Sequence, residues 1–356
     1  MLKTSRTWLV LAGVCAMALA SPSQAAFQDP LDVPAVQSKL APRGLINGMA
    51  YAGKRMVSVG QRGHILYSDD AGQNWTQAKV PVSTDLTAVF FASATQGWAV
   101  GHGGVVLTSA DAGASWTKQL DGRAAGKLMQ TYYADHTPQG MSPEQLAQLQ
   151  GDAARFAEEG PDKPFLDVWF ENETTGYIVG LFNMIFKTAD GGKTWTPWFD
   201  RSDNPKMLHI YAIRAIGDEL YLAGEQGMVL KLDKTAQRFK RTPVDYQGTF
   251  FGIIGKPGAV IVYGLRGNAY RSADGGASWQ KVETGVSVGL TGATVTADGR
   301  ILLVSQAGQV LASSDDGRTF TRLNLERQVP AAALLEAPGN MLVMGGMRGL
   351  QSQAVK

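Results

Sequence analysis

The stretch SDDAGQNW at residues 68–75 sets Ser68, Asp70, Gly72 and Trp75 at fixed offsets. The phrase returns as SADAGASW at 109–116, TADGGKTW at 188–195, SADGGASW at 272–279 and SSDDGRTF at 313–320. A degenerate copy runs from Leu232 and Asp233 to Phe239. Copies of S/T-x-D-x-G-x-x-W/F recurring through one chain mark an internal repeat, which takes precedence over other readings of architecture. The Ser/Thr hydroxyl and the carboxylates of Asp70, Asp111, Asp190, Asp274 and Asp315 can accept backbone N–H bonds inside a tight turn, while the glycine permits a positive φ. The aromatic residue then anchors the turn between neighbouring sheets. An aspartate in every repeat is the pattern of a structural staple, because so many carboxylates cannot all serve one catalytic or metal site.

Successive phrases lie about 41 residues apart, as from Ser68 to Ser109 and from Ser272 to Ser313. Within the second repeat, residues 87–92, 97–101, 105–109 and 116–119 read as short strands separated by glycine-containing turns. Four short strands per repeat predict the blade of a β-propeller, an all-β ring that hides most strand edges. Blade starts near Leu45, Leu86, Phe165, Leu208, Thr249, Leu290 and Val329 predict seven blades over residues 26–356. The last repeat stops before a fourth strand. Residues 27–44, left over at the other end, are expected to supply that strand and close the ring.

Residues 1–25 place Lys3 and Arg6 ahead of an apolar run at 8–20, followed by small residues, and read as a signal peptide cleaved after Ala25. The apolar run is too short to span a bilayer, so an exported, periplasmic protein without a membrane anchor is expected. Cys15 lies inside this run, and Val14 before it departs from the small residue used in lipoprotein processing. Cleavage leaves no thiol, which excludes disulfides and cysteine chemistry. It also removes two of the 33 basic residues and none of the 31 acidic ones, leaving net charge zero. No overall field therefore favours nucleic acid.

The period breaks between Trp116 and Phe165, where residues 122–164 form an insertion. Ser142 and Gln145 match a helix capping box with Pro143 at the first helical position, and Leu146, Leu149, Ala153 and Phe156 follow at roughly helical spacing. It reads either as surface decoration or as a partner-docking cap. The turns joining strands two and three of each blade should ring the mouth of the central channel. They present Arg62, His102, Asn183, Glu225, Gln226, Arg266, Gln306 and Arg348 between turn-forming residues, mostly glycines. These eight are the candidate partner-binding residues, since arginine's planar fork of donors suits a carboxylate, a chain terminus or a backbone carbonyl.

The whole mature chain, with its G-x-x-G turns and S-x-D-G-G-x-x-W phrases, resembles the photosystem II stability/assembly factor family and its relatives outside photosynthetic organisms. The phrase itself resembles the Asp-box of sialidases and other BNR-repeat propellers. The family resemblance implies a non-enzymatic propeller of the periplasm or thylakoid lumen that binds a membrane-protein subunit during complex assembly through an arginine-rich face. Arg62, Arg266 and Arg348 are the residues here that could form such a patch. The decayed fourth phrase and the long insertion depart from that pattern. A monomer, peripheral to the membrane at most, is expected.

A sialidase-like glycoside hydrolase is the alternative, with the three arginines holding a sugar carboxylate and Glu225 as acid/base. That chemistry needs paired carboxylates over the substrate, and Glu225 is the only one among these turns. His64, His102, His136 and His209 are scattered without zinc-ligand spacing. No glycine-rich turn precedes a helix as a phosphate loop would. No cofactor or metal is therefore expected.

Overall fold

A computed structural model of the chain describes residues 28–355; the expected signal peptide and Cys15 lie outside them. Seven antiparallel sheets follow one another in chain order, six of four strands and a last one of three. The inward strand of every blade lines a central channel of about 200 Å³. No helix among the described residues is long and apolar enough to cross a membrane.

The second blade comprises Leu86–Phe91, Gly97–Gly101, Val106–Ser109 and Thr117–Leu120, close to the strands read from sequence. Apolar layers fill the seams between blades. Val57, Val59 and Ile65 of blade 1 meet Val89, Ala99 and Leu107 of blade 2, for example. Each such buried valine, leucine or isoleucine contributes about 1.5–3 kcal/mol.

The repeated turns position these layers. Ser68 Oγ accepts the Gly72 N–H at 2.9 Å and donates to Asp70 Oδ1 at 2.8 Å, and Asp70 Oδ1 accepts the Asn74 N–H at 2.8 Å. Equivalent bonds recur around Asp111, Asp190, Asp274 and Asp315. The aromatic residue ending each phrase packs on the preceding blade, as Trp116 does on blade 1 and Trp279 on blade 4. In blade 4 the hydroxyl is missing, but Asp233 still accepts the N–H groups of Thr235 and Ala236. Phe239, fully buried, takes the aromatic position against blade 3.

Ring closure differs from the expectation. Blade 7 has Ala333–Ala337, Met341–Gly346 and Gly349–Ala354, and no strand from residues 28–44 joins it. Side chains seal the seam instead: Met56 and Trp75 of blade 1 pack with Leu335, Ala337 and Val343 of blade 7. Residues 28–38 run elsewhere, as a strap over blades 1 and 2. Ser83 N–H donates to the Pro30 carbonyl at 2.8 Å and Ala35 N–H to the Val80 carbonyl at 3.0 Å. Leu31 is buried against the turn at Gly103. The strap carries Asp32, whose carboxyl Arg123 and Lys118 hold far below the usual range. Those partners belong to the outer strand of blade 2 and the insertion, so pairing with the seventh blade would forfeit them.

The insertion is two helices, α1 (Gly122–Asp135) and α2 (Pro143–Glu159). The capping box at Ser142 forms as read from sequence, and Leu149, Ala153 and Phe156 are buried. Helix α1 is an addition to the sequence reading. Its N-cap is Asp121, which accepts N–H bonds from Arg123 and Ala124.

Candidate functional site

The chain reverses between strands two and three by the same device in most blades. Gly60 is extended, but a Cβ there would lie 1.9 Å from the Leu45 carbonyl oxygen, so the close approach of the first strand requires glycine. Gly63 is glycine for a second reason, since its φ is +69°. Between them Arg62 adopts φ +56°, a left-handed conformation that lifts its side chain off the sheet. Arg266 repeats this at φ +57°, and Gln226 at φ +51°.

These turns share one face with the strap and the insertion. Helix α1 contacts the turn at His102–Gly104, and the Phe156 ring meets the Phe182 ring edge-on at 6.4 Å. Leu31 of the strap packs on Gly103. The strap and the insertion therefore pack against the turns of blades 2 and 3, where His102 and Phe182 stay exposed, whereas the consecutive turns of blades 5, 6, 7 and 1 are open at their tips. The open half brings together Arg266, Gln306, Arg348 and Arg62, all exposed. None of the three guanidinium groups has an ion-pair partner among the described residues.

The other candidates separate from this group. His102 is exposed beside the strap. Asn183 is a correction: it is 3% exposed, and its side chain donates to the Phe199 carbonyl while accepting from Ser202 and Asn204. The chain linking blades 3 and 4 passes over that turn, and its polar groups need an internal partner. Glu225 is half-buried and accepts the His209 N–H at 2.9 Å, so its carboxylate is already engaged.

Sequence reasoning missed what surrounds these residues. Met347 is 77% exposed beside Arg348, and Leu265 is 39% exposed beside Arg266. Each of these two turns thus presents an apolar side chain next to an arginine without an ion-pair partner among the described residues. Lys206 and Arg241 reach Gln226 through its side chain and its carbonyl, adding positive charge at the blade 4 turn. Inside the channel, Asp167 and Arg214 form an ion pair at 2.6 Å. Burial pushes the Asp167 carboxyl up, opposed by Arg214 and by the N–H groups of Ile213 and Val168. The two residues come from adjacent inner strands, and only ring geometry reveals their contact. No group of three or more histidine, cysteine, aspartate or glutamate side chains among the described residues is arranged to hold a metal ion.

A family model described as photosynthesis system II assembly factor YCF48 matches residues 4–136 and 158–310. The chain belongs to this family. A curated YCF48 relative, the photosystem II assembly lipoprotein Ycf48 of Synechococcus sp. (strain CC9902), is 28% identical over 166 residues. That match covers 45% of this chain and 49% of the relative, so the chain spans about half the length of the curated relative it matches. Among solved structures, one titled YCF48 bound to D1 peptide aligns with a TM-score of 0.59 at 15% identity, covering 91% of this chain and 99% of that one. YCF48 from Cyanidioschyzon merolae aligns at 0.58 and 13% identity, covering 88% and 96%. A streptogramin B lyase aligns at 0.64 and 12% identity, covering 88% and 95%. At these identities the solved structures share the fold, which serves both YCF48 and an enzyme.

Proposed function

We propose that this chain is an exported, non-enzymatic docking protein that holds an acidic, partly apolar segment of a membrane-protein subunit during assembly of a complex. The observation that carries the reading is the open half of the mouth face, where Arg62, Arg266 and Arg348 stand exposed with no ion-pair partner among the described residues. Arginine forks bind carboxylates in bidentate fashion, which gives both attraction and orientation. Leu265 and Met347 supply neighbouring apolar contact.

Two further facts support it. A relative of the same fold is titled as bound to a D1 peptide, which makes polypeptide recognition a use to which this family's fold is put. The carboxylates nearest a catalytic role are engaged internally, Asp167 by Arg214 and Glu225 by His209. A glycosidase needs two carboxyl groups facing a common substrate.

The test replaces Arg62, Arg266 and Arg348 by glutamate and measures capture of subunits from detergent-solubilised membranes, identified by mass spectrometry. Loss of one defined subunit, with an unchanged thermal melt, is the expected result. Retention of that subunit by the triple variant would overturn the reading. Secretion of the protein by its native host, with its N-terminus mapped by sequencing, tests the export assignment.

A further inference from the structure

We propose that the outer edge of blade 7 takes an extended acidic segment of the client as its fourth strand, a reading that rests on the docking function above. The last strand, Gly349–Ala354, pairs with Met341–Gly346 on one side only. A two-residue turn at Met347 and Arg348 closes the Gly346–Gly349 pair, and at the other end the Val355 N–H donates to the Asn340 carbonyl at 3.0 Å. Antiparallel pairs alternate, so Gln351 and Gln353 turn their backbone groups inward while Leu350 and Ser352 turn theirs outward. Those outward N–H and C=O groups bond to no other described residue. The link from blade 6 reaches only the far end, where Leu325 bridges Val355. Strand edges are commonly blunted by charge or proline, and Gly349–Ala354 carries neither.

The slot has the width of one strand. Blades 1 and 6 on either side carry fourth strands at Thr76–Gln77 and Thr321–Arg322. The edge of blade 7 is therefore recessed by one strand spacing, about 4.8 Å. A second copy cannot pair there, because the flanking strands of the two copies would collide before the recessed edges met. A single extended chain fits, and blade 5 shows how: Val282 of its fourth strand pairs with Ala269 and is buried in the next seam. The corresponding seam of blade 7 is lined by Leu350 and Trp75, both half-buried, which suits an apolar residue in the incoming strand. The chain's own residues 28–38 are committed to the strap over blades 1 and 2.

Charge selects among extended chains. At the mouth end Arg348 precedes the strand, and Arg43 packs on Gly349, where a Cβ would lie 2.6 Å from the Arg43 Cα. At the other end the Arg327 N–H donates to Gln353 Oε1 at 3.2 Å. All three arginines are exposed, and none has an ion-pair partner among the described residues. Glu326, beside Arg327, offsets one of these charges and leaves the edge with an excess of positive charge. Gly349 and Gln353 are separated by about 13 Å along a strand, so carboxylates about four positions apart in the incoming segment reach both ends. Backbone pairing at Leu350 and Ser352 holds any extended chain, and the arginine forks choose an acidic one. Arg348 also belongs to the open half of the mouth face, so the slot continues that surface onto the rim.

The test titrates a labelled peptide with blocked ends, two aspartates with Thr-Val-Thr between them, against the chain from residue 26 by fluorescence anisotropy. Methylating alternate backbone nitrogens of the peptide gives two analogues, of which only one has its methyl groups toward the edge. That analogue is expected to bind about tenfold more weakly, having lost its pairing bonds, while the other keeps its affinity. A parent peptide that fails to bind, or two analogues that bind alike, overturns the pairing. Arg43→Glu with Arg327→Glu is expected to weaken the parent peptide by a similar factor, and unchanged affinity overturns the choice of an acidic segment. Hydrogen exchange reads the slot directly: the Leu350 and Ser352 amides should exchange freely in the free chain and slow with peptide. Slow exchange in the free chain means that the slot is already filled, by a second copy if sedimentation finds a dimer and by the chain itself if it finds a monomer, and either overturns the proposal. The peptide is expected to keep its affinity for an Arg62→Glu/Arg266→Glu variant, so failure at the slot and failure of subunit capture by the mouth arginines are read separately.

Discussion

Ser352 Oγ donates a 3.1 Å hydrogen bond to the Gly72 carbonyl, fastening the last strand of the chain to its first repeated turn across 280 residues. Trp75 packs beside that bond against Val343 and Leu335. The ring is thereby sealed by side chains at a seam whose outer blade lacks a fourth strand. Trp75→Ala removes the largest side chain of the seam. Because Trp75 is only half-buried, the expected cost is about 2 kcal/mol, below the range for fully buried aromatics. Urea denaturation measures it, and an unchanged midpoint would show that the seam is held elsewhere.

The repeated turns also predict acid sensitivity. The Asn74 backbone N–H, with help from the Asn74 and Ser68 side chains, holds Asp70 at about 2, and the Ser278 hydroxyl and N–H do the same for Asp274. Their usual value is 3.8. A carboxyl with a depressed folded-state pKa contributes stability above its unfolded value, and that contribution disappears as pH falls through the folded one. The urea midpoint should therefore hold steady down to about pH 5 and decline between about pH 4 and 2. Asp70→Asn with Asp274→Asn should lower the midpoint at pH 7 and flatten that decline; an unaltered slope would mean other carboxylates govern it.

Local chemistry made the blades legible, since each phrase needs only its own turn to explain Ser68, Asp70 and Gly72. Even the decayed fourth copy kept Phe239 in the aromatic position, because the seam must be filled whatever the turn contains. What escaped depends on contacts between distant segments. Helix α1 was hidden by Gly122 and Gly126, poor helix formers whose reason is spatial: a Cβ on Gly126 would lie 2.9 Å from the Ala157 Cα of α2. Asn183 looked like a solvent-facing turn residue because nothing nearby in sequence shows Ser202 and Asn204 folding over it. The strap was assigned to the wrong seam for a similar reason. Its ion pairs go to Lys118 on the outer strand of blade 2 and to Arg123 in the insertion, contacts that no strand pattern shows.

The channel pair gives a further prediction. Asp167 Oδ2 accepts from Arg214 and the Ile213 N–H, and Oδ1 accepts the Val168 N–H. Asp167→Ala takes this acceptor from both N–H groups and leaves the Arg214 guanidinium with the Ile213 carbonyl as its remaining acceptor and no counter-charge. Breaking a buried pair from one side costs about 3–5 kcal/mol, and the lower end applies because the Arg214 side chain keeps 34% exposure to the channel. Arg214→Met added to Asp167→Ala should recover part of the loss, since it removes the stranded charge. A double variant as unstable as the sum of the singles would place the value of Asp167 in the backbone bonds alone.

The strained turns allow stability and binding to be separated. Arg62 and Arg266 hold left-handed backbone conformations that cost a side chain about 1 kcal/mol, whereas blade 2 places Gly103 at the same position with φ +69°. Glycine relieves that strain but gives back roughly half through its larger unfolded-state entropy. Arg62→Gly and Arg266→Gly are thus each expected to raise unfolding free energy by up to about 0.5 kcal/mol while weakening client capture. If arginine is present there only as turn surface, stability rises and capture stays constant. If stability falls instead, the guanidinium groups have folding contacts that outweigh the strain, and their role as unpaired recognition groups fails with them.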